Sequence, residues 1–136
     1  MTEPQYITNQ TPTFEAMSRL RASVNWDVSE GYRQRTHAPY PQTACYADGE
    51  LIAYLEVLSD GKTDAYLQDL MVKPEFQNQG IASKLLNDTI SQLKMDGLEM
   101  ISLIYARTDL AAFYEKFGFF TMAAGQMEVK QNGKNS

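Results

Sequence analysis

Two apolar patterns meet in the middle of the chain. Leu67, Leu70, Met71 and Val72 form a run that reads as a strand. Pro74 stops it, because proline has no N–H to give to a ladder. Ile81, Leu85, Leu86, Ile90 and Leu93 then recur at helical spacing, and Gly97 is placed to end that helix. Between the two lies a polar turn, Gln77 to Ala82, with Gly80 inside it.

The alternation continues on either side. Gln5 to Thr8 reads as a short strand. Thr11-Pro12 predicts an N-cap with proline at the first helical position, and Phe14, Met17, Leu20 and Val24 share one helical face. Val28 to Arg35 predicts a second short helix, which His37-Ala-Pro39-Tyr-Pro41 breaks. Thr43 to Ala47 and Leu51 to Leu58 read as strands joined by an Asp48-Gly49 hairpin turn. Asp60-Gly61 precedes the strand from about Thr63 to Val72. Beyond the central helix the pattern predicts a strand at Met100 to Tyr105. A helix follows, capped by Thr108 or Asp109, running to about Phe117 and ended by Gly118. Two last strands, Phe119 to Met122 and Met127 to Lys130, precede a polar tail from about residue 131. Strands joined both by hairpins and by helix crossovers predict an α/β (α+β) fold, a mixed sheet with helices on both faces. The length predicts a single domain over residues 1–136.

Composition narrows the function classes. The content is 43% hydrophobic and 21% charged, which allows a core and excludes a wholly disordered chain. A net charge of −5 disfavours nucleic-acid or anionic-membrane partners, which need basic patches. No apolar run approaches a membrane span, and Met-Thr-Glu-Pro-Gln lacks the start of a signal peptide. The single cysteine, Cys45, cannot form an internal disulfide. A cytoplasmic location is expected. No Cys/His cluster has metal-ligand spacing, so no metal is expected.

A polar, glycine-containing turn that opens a helix exposes unpaired N–H groups at the positive end of the dipole. That is the make-up of an anion site, most often for phosphate. An ordinary strand-to-helix loop is the alternative.

The wording of the loop carries a resemblance. Val72-Lys-Pro-Glu-Phe-Gln77-Asn-Gln-Gly80-Ile-Ala82 resembles the acetyl-CoA signature of the GNAT-type N-acetyltransferases, with Gln77, Gly80 and Ala82 at its diagnostic positions. Phe113-Tyr-Glu-Lys-Phe-Gly-Phe119 is similar to the block near that family's C-terminus. The resemblance implies a mostly antiparallel sheet of about seven strands flanked by about four helices. It implies acetyl-CoA as cosubstrate and transfer of the acetyl group to a primary amine of a small molecule or peptide, by direct attack in a ternary complex. A homodimer is compatible with it. The backbone of Leu70, Met71 and Val72 would pair with the pantetheine arm, the Met71 N–H serving as donor to the thioester carbonyl. Gln77, Asn78, Gln79, Gly80, Ile81, Ala82 and Ser83 would hold the pyrophosphate. Arg107 stands where relatives often carry an asparagine that contacts the cofactor, and an arginine there can reach a phosphate. Lys73 and Lys84 lie near the loop in sequence.

Acyl transfer from a thioester also needs a proton for the departing thiolate and a neutral amine. The resemblance gives the first task to Tyr114, since a phenol holds its proton at neutral pH; packing beside Phe113 and Phe117 is the alternative. For the second, Glu56 is a carboxylate in an apolar strand, where desolvation raises a pKa. Asp69 sits on the strand that leads to the loop. A water relay with no dedicated residue stands beside both. Tyr66 occupies the position of the glutamate base of the histone-acetylating branch, which argues against that mechanism. His37 reads as a surface residue, Cys45 as a small buried one, and Trp26 as lining the acceptor side or packing. The acidic balance fits an acceptor bearing positive charge, with Glu56, Asp64 and Asp69 near the signature strand. A non-catalytic acyl-CoA-binding module and an aminoacyl-tRNA-acetylating toxin are the rival functions; the toxin would need a basic RNA-facing surface.

Overall fold

The structure, a computed structural model, describes residues 3–28 and 30–130. The expected tail from 131 lies outside the described residues. The chain falls into two units, Met1–Leu103 and Ile104–Ser136.

In the first unit, β1 (Gln5–Thr8), β2 (Gln42–Ala47), β3 (Glu50–Ser59), β4 (Asp64–Val72) and β5 (Met100–Ser102) form one sheet in sequence order. The first four strands are antiparallel neighbours, and β5 runs parallel to β4. The β2–β3 hairpin turns through Asp48 and Gly49, both at positive φ (50° and 81°), the geometry of a type I′ turn. Helix α1 (Phe14–Ser23) packs Leu20 against Ala44, Leu51, Tyr54 and Met71 on one face of the sheet. The short helix α2 (Glu30–Arg33) follows it. Alternation along β3 sends Ala53, Leu55 and Val57 to the other face. There α3 (Ile81–Met95) buries Leu85, Leu86, Ile90 and Leu93. Gly97, at φ 83°, ends α3. The N–H of Leu98 reaches the Leu93 carbonyl and that of Gly97 the Lys94 carbonyl, the paired bonds of a Schellman stop.

Three sequence expectations are corrected in this unit. The N-cap of α1 is Thr13, whose hydroxyl accepts from the Ala16 N–H at 3.1 Å, not Thr11. Pro12 is buried ahead of the cap rather than opening the helix. The strand expected from Met100 to Tyr105 stops at Ser102, because only Met100, Ile101 and Ser102 find partners on β4.

In the second unit, a 3-10 turn (Thr108–Leu110) leads into α4 (Ala111–Glu115). Neither Thr108 nor Asp109 caps it: Leu110 is the N-cap, without a side-chain bond, and Asp109 pairs with Arg107 instead. The chain leaves the helix through Gly118 at φ 100°. No strand forms over 119–122 or 127–130. A strand exists only by pairing, and there Phe120, Met122, Met127 and Val129 stay exposed. The described sheet therefore has five strands, against about seven expected, with the four helices anticipated.

Candidate active site

The signature strand departs from regular pairing at its centre. Tyr54 faces Met71 and Glu56 faces Gln68, so Leu55 opposes both Asp69 and Leu70. This is a β-bulge, with Asp69 at φ 60°. On the other side, β5 pairs only with Asp64, Ala65 and Tyr66. From Leu67 onward that edge of β4 has no strand partner among the described residues. The Lys73 N–H donates to the Ile52 carbonyl at 2.7 Å. Alternation along an antiparallel ladder then turns the Met71 N–H toward β3 and the Val72 N–H toward the open edge. The sequence reading chose Met71 as the carbonyl donor; the register favours Val72, with Leu70 beside the bulge.

Downstream, a 3-10 turn (Pro74–Phe76) drops the chain into the loop. Asn78 and Gly80 are both left-handed, at φ 63° and 84°. Gln77 fixes the loop from within, its amide donating to the Val72 carbonyl at 2.9 Å, and Gln79 donates to the Glu75 carbonyl at 3.4 Å. Gly80 is the N-cap of α3 and no side chain caps it. Ile81, Ala82 and Ser83 thus open the helix with N–H groups that have no intrahelical partner. A Cβ on Gly80 would enter open space, so an oxyanion can approach the backbone there. Both lysines near the loop are already engaged: Lys73 by Glu50 at 2.6 Å and Lys84 by Asp88 at 2.9 Å.

The two carboxylate candidates differ sharply. Glu56 is fully buried and lies in a row of cross-strand partners, Gln42 on one side and Gln68 on the other. Arg35 forks onto it at 3.0 and 2.6 Å, the Tyr54 hydroxyl lies 2.9 Å away, and the Gln68 amide donates to it. Its oxygens are fully used. Asp69 accepts from the Tyr32 hydroxyl at 2.9 Å and lies 3.4 Å from the Arg21 guanidinium. Burial raises its carboxyl above the ordinary value and nearby Glu56 adds to this, while the Tyr32 hydrogen bond and Arg21 offset part. Tyr32, in the same surroundings, is pushed up to about 12, by burial first and then by Asp69.

Beside these groups opens a cavity of about 310 Å³, walled by α1 and the segment around α2. Phe14, Met17, Arg21, Tyr32, Arg33, Arg35 and His37 line it, and among the described residues no carboxylate does. Sequence reasoning missed Arg21, Tyr32 and Arg35. The one available signal was Glu56 itself, since a carboxylate in an apolar strand demands a cation. Trp26 does not line the cavity; it lies under the Arg21 guanidinium at 5.4 Å. His37 is exposed at its rim, bonded through Nδ1 to the Thr36 hydroxyl. Cys45 is fully buried, and burial pushes its thiol up, as befits a packing residue.

In the second unit, Tyr114 is half-buried. It stacks on Tyr105 at 5.1 Å and meets Phe113 and Phe119 edge-on. Burial raises its hydroxyl, with Tyr105 adding to the effect. Arg107 is exposed and paired with Asp109 at 3.1 Å. Among the described residues no cluster of His, Cys, Asp or Glu is placed to hold a metal, and no helix is long and apolar enough to cross a membrane.

The family model for the acetyltransferase (GNAT) family matches residues 8–119. The chain belongs to the GNAT acetyltransferase family. Uncharacterized N-acetyltransferases ycf52 from Pyropia yezoensis and Gracilaria tenuistipitata var. liui are similar to it. The first is 30% identical over 73 residues, covering 54% of this chain and 41% of the relative. The second is 32% identical over 71 residues, covering 52% and 38%. The matched stretch is thus about two-fifths of the length of these curated relatives. A GNAT-family structure from Xanthomonas campestris is 25% identical, with a TM-score of 0.75 over 100% of this chain and 99% of that one. A protein of unknown function from meticillin-resistant Staphylococcus aureus, 22% identical, shares the GNAT fold with a TM-score of 0.81 over 95% and 100%.

Proposed function

We propose that the chain is a cytoplasmic, acetyl-CoA-dependent N-acetyltransferase acting on a primary amine of a small molecule or peptide, by direct attack in a ternary complex. One observation carries this reading: a single segment offers an open strand edge followed at once by an uncapped, glycine-opened helix start. The first suits an amide-bearing arm and the second a pyrophosphate. The Val72 N–H, with Leu70 beside it, donates to the thioester carbonyl as charge develops on oxygen. Loop 77–83 holds the pyrophosphate. Of the two carboxylates, Asp69 is the one with a raised carboxyl at the bulge, and it takes a proton from the amine directly or through one water. Glu56 holds Arg35 in place. Tyr114 meets the thiolate. A thiol ordinarily titrates near 8.5 and a phenol near 10, and Tyr114 is raised further. Complete transfer to free thiolate is therefore uphill, and the hydroxyl contributes chiefly as a hydrogen bond to sulfur in the transition state.

The test is calorimetry with acetyl-CoA on wild type and Gly80→Val, beside thiol release with an amine panel. A Cβ at Gly80 meets nothing within 4 Å, but φ 84° strains a β-branched residue, so circular dichroism first establishes that the variant is folded. Binding should weaken at least about tenfold, as branched carbons stand where the phosphate approaches. Unchanged affinity in folded Gly80→Val sinks the pyrophosphate assignment. Binding without turnover on any amine leaves an acyl-CoA-binding module.

A further inference from the structure

The acceptor side carries a charge pattern that runs against the overall balance of −5. Three guanidiniums, Arg21, Arg33 and Arg35, line the cavity and, among the described residues, no carboxylate does. Two of their counter-charges lie behind the wall: the Glu56 side chain is 0% exposed and that of Asp69 11%. The third, Glu30, is exposed beside Arg33 and takes only its Nε–H.

Donor arithmetic sharpens this. A guanidinium has five N–H donors in a fixed fork. Arg35 gives one from each terminal nitrogen to Glu56. Arg33 gives its Nε–H to Glu30 at 2.9 Å, and its two terminal nitrogens make no hydrogen bond among the described residues. Both planes are held in place, Arg33 over the Phe14 ring at 4.0 Å and Arg35 over Tyr32 at 4.5 Å. Stacked, pre-oriented forks with spare donors match the oxygens of a carboxylate or a phosphate. The cavity volume, about 310 Å³, lies at the small end of ligand pockets, so the occupant is a small molecule.

We propose that the acceptor is a small primary amine that also carries an oxyanion, a carboxylate or a phosphate, held by the arginines of this cavity with Arg33 as the unsatisfied fork. This replaces the cationic acceptor suggested by composition. Net charge acts through a field screened beyond about 8 Å at physiological salt, whereas these donors act in contact. The inference rests on the acetyltransferase reading for the reaction, and on the cavity alone for the ligand.

Matched acceptors test it: an ω-amino acid against its amide, an aminoalkyl phosphate against the corresponding amino alcohol, and a plain diamine. In wild type, kcat/KM should favour the oxyanion member by about tenfold to a hundredfold, the range for hydrogen bonds to a charged group. The carboxylate and phosphate arms separate the two sources. In Arg33→Gln, a change at a half-exposed side chain, the oxyanion-to-neutral ratio should fall about tenfold, with Arg33→Lys intermediate because it keeps charge and loses the fork. Equal rates within pairs, or preference for the diamine, overturn the proposal. A ratio unchanged in Arg33→Gln overturns the role of Arg33. If no amine releases thiol, the acetyltransferase reading fails and the same pairs are compared by calorimetry. Oxyanion-dependent binding weakened by Arg33→Gln then sustains the inference; equal binding, or none, overturns it.

Discussion

The proposed cofactor side and the proposed acceptor side of the first unit are built from different materials. The cofactor side is backbone: an open edge of β4 and the N–H groups that start α3. The acceptor side is side chain: Arg21, Tyr32, Arg33 and Arg35, brought from α1 and the segment around α2 to meet Glu56 and Asp69. Backbone donors bind whatever side chains surround them, so that half can be reused for one cosubstrate. A wall of side chains changes with every substitution, and in the proposed reading that half sets the acceptor. The difference teaches where mutations should act: on the acceptor side they alter stability and amine choice, and on the cofactor side they alter affinity for the common ligand.

The largest expected effect breaks the acceptor side. Glu56→Ala leaves Arg35 without its counter-charge beside Tyr54 and Gln68. Removing one partner of a fully buried pair costs about 3–5 kcal/mol; with Arg35 28% exposed the loss should lie below that range, to be read from the urea midpoint, while acetyl-CoA affinity of the folded fraction holds. If Glu56→Gln keeps full stability yet abolishes turnover, Glu56 is the base and the division of labour proposed between the carboxylates is wrong.

Next comes Asp69. With its carboxyl raised by burial, the acid limb of the kcat/KM profile should lie above the ordinary carboxylate range, and activity should rise with pH through it. Asp69→Asn should cost about a hundredfold in turnover, the low end for a general base, and remove that limb. Stability runs the opposite way. A raised acid binds its proton more tightly in the folded state, so its contribution is complete below the unfolded value and is lost as pH rises through the folded one. A limb that persists in Asp69→Asn assigns it to another titrating group and overturns Asp69 as the base.

The smallest effect tests Tyr114. Tyr114→Phe keeps the stacked ring and removes only the hydroxyl. Turnover at saturating acetyl-CoA should fall by up to about a hundredfold, with ground-state binding little changed. Steady-state kinetics within about twofold of wild type would make Tyr114 a packing residue.

The same division explains what could be read from the residues. The signature loop was legible because a backbone site needs particular letters: glycine for the left-handed turn at 80, proline to end the strand, and a glutamine to brace the loop on the Val72 carbonyl. The bulge was not legible, since Asp69 at φ 60° looks like any polar residue in a strand. It shifts the ladder phase, so that Val72 rather than Met71 turns its N–H to the open edge. The cavity was not legible either. Arg21 lies on α1, Glu56 on β3 and Arg35 in the loop after α2, and only tertiary pairing brings them together. Phe119 to Met122 and Met127 to Lys130 carry strand-like letters, but alternation predicts a face and not a partner, and no ladder formed.

The bulge at Asp69 has a further consequence, for the fate of the protein without its cosubstrate. A strand with one bare edge is a template on which a second chain can add, the first step toward fibrils. Bulged strands bend and twist more strongly than regular ones, so a second β4 could not run straight along this edge in register. The residue that bulges the ladder at the proposed binding edge also works against identical copies zipping together. Straightening the strand by deleting Asp69 should convert the proposed binding edge into a nucleus for aggregation, read as a rise in thioflavin fluorescence of the purified protein.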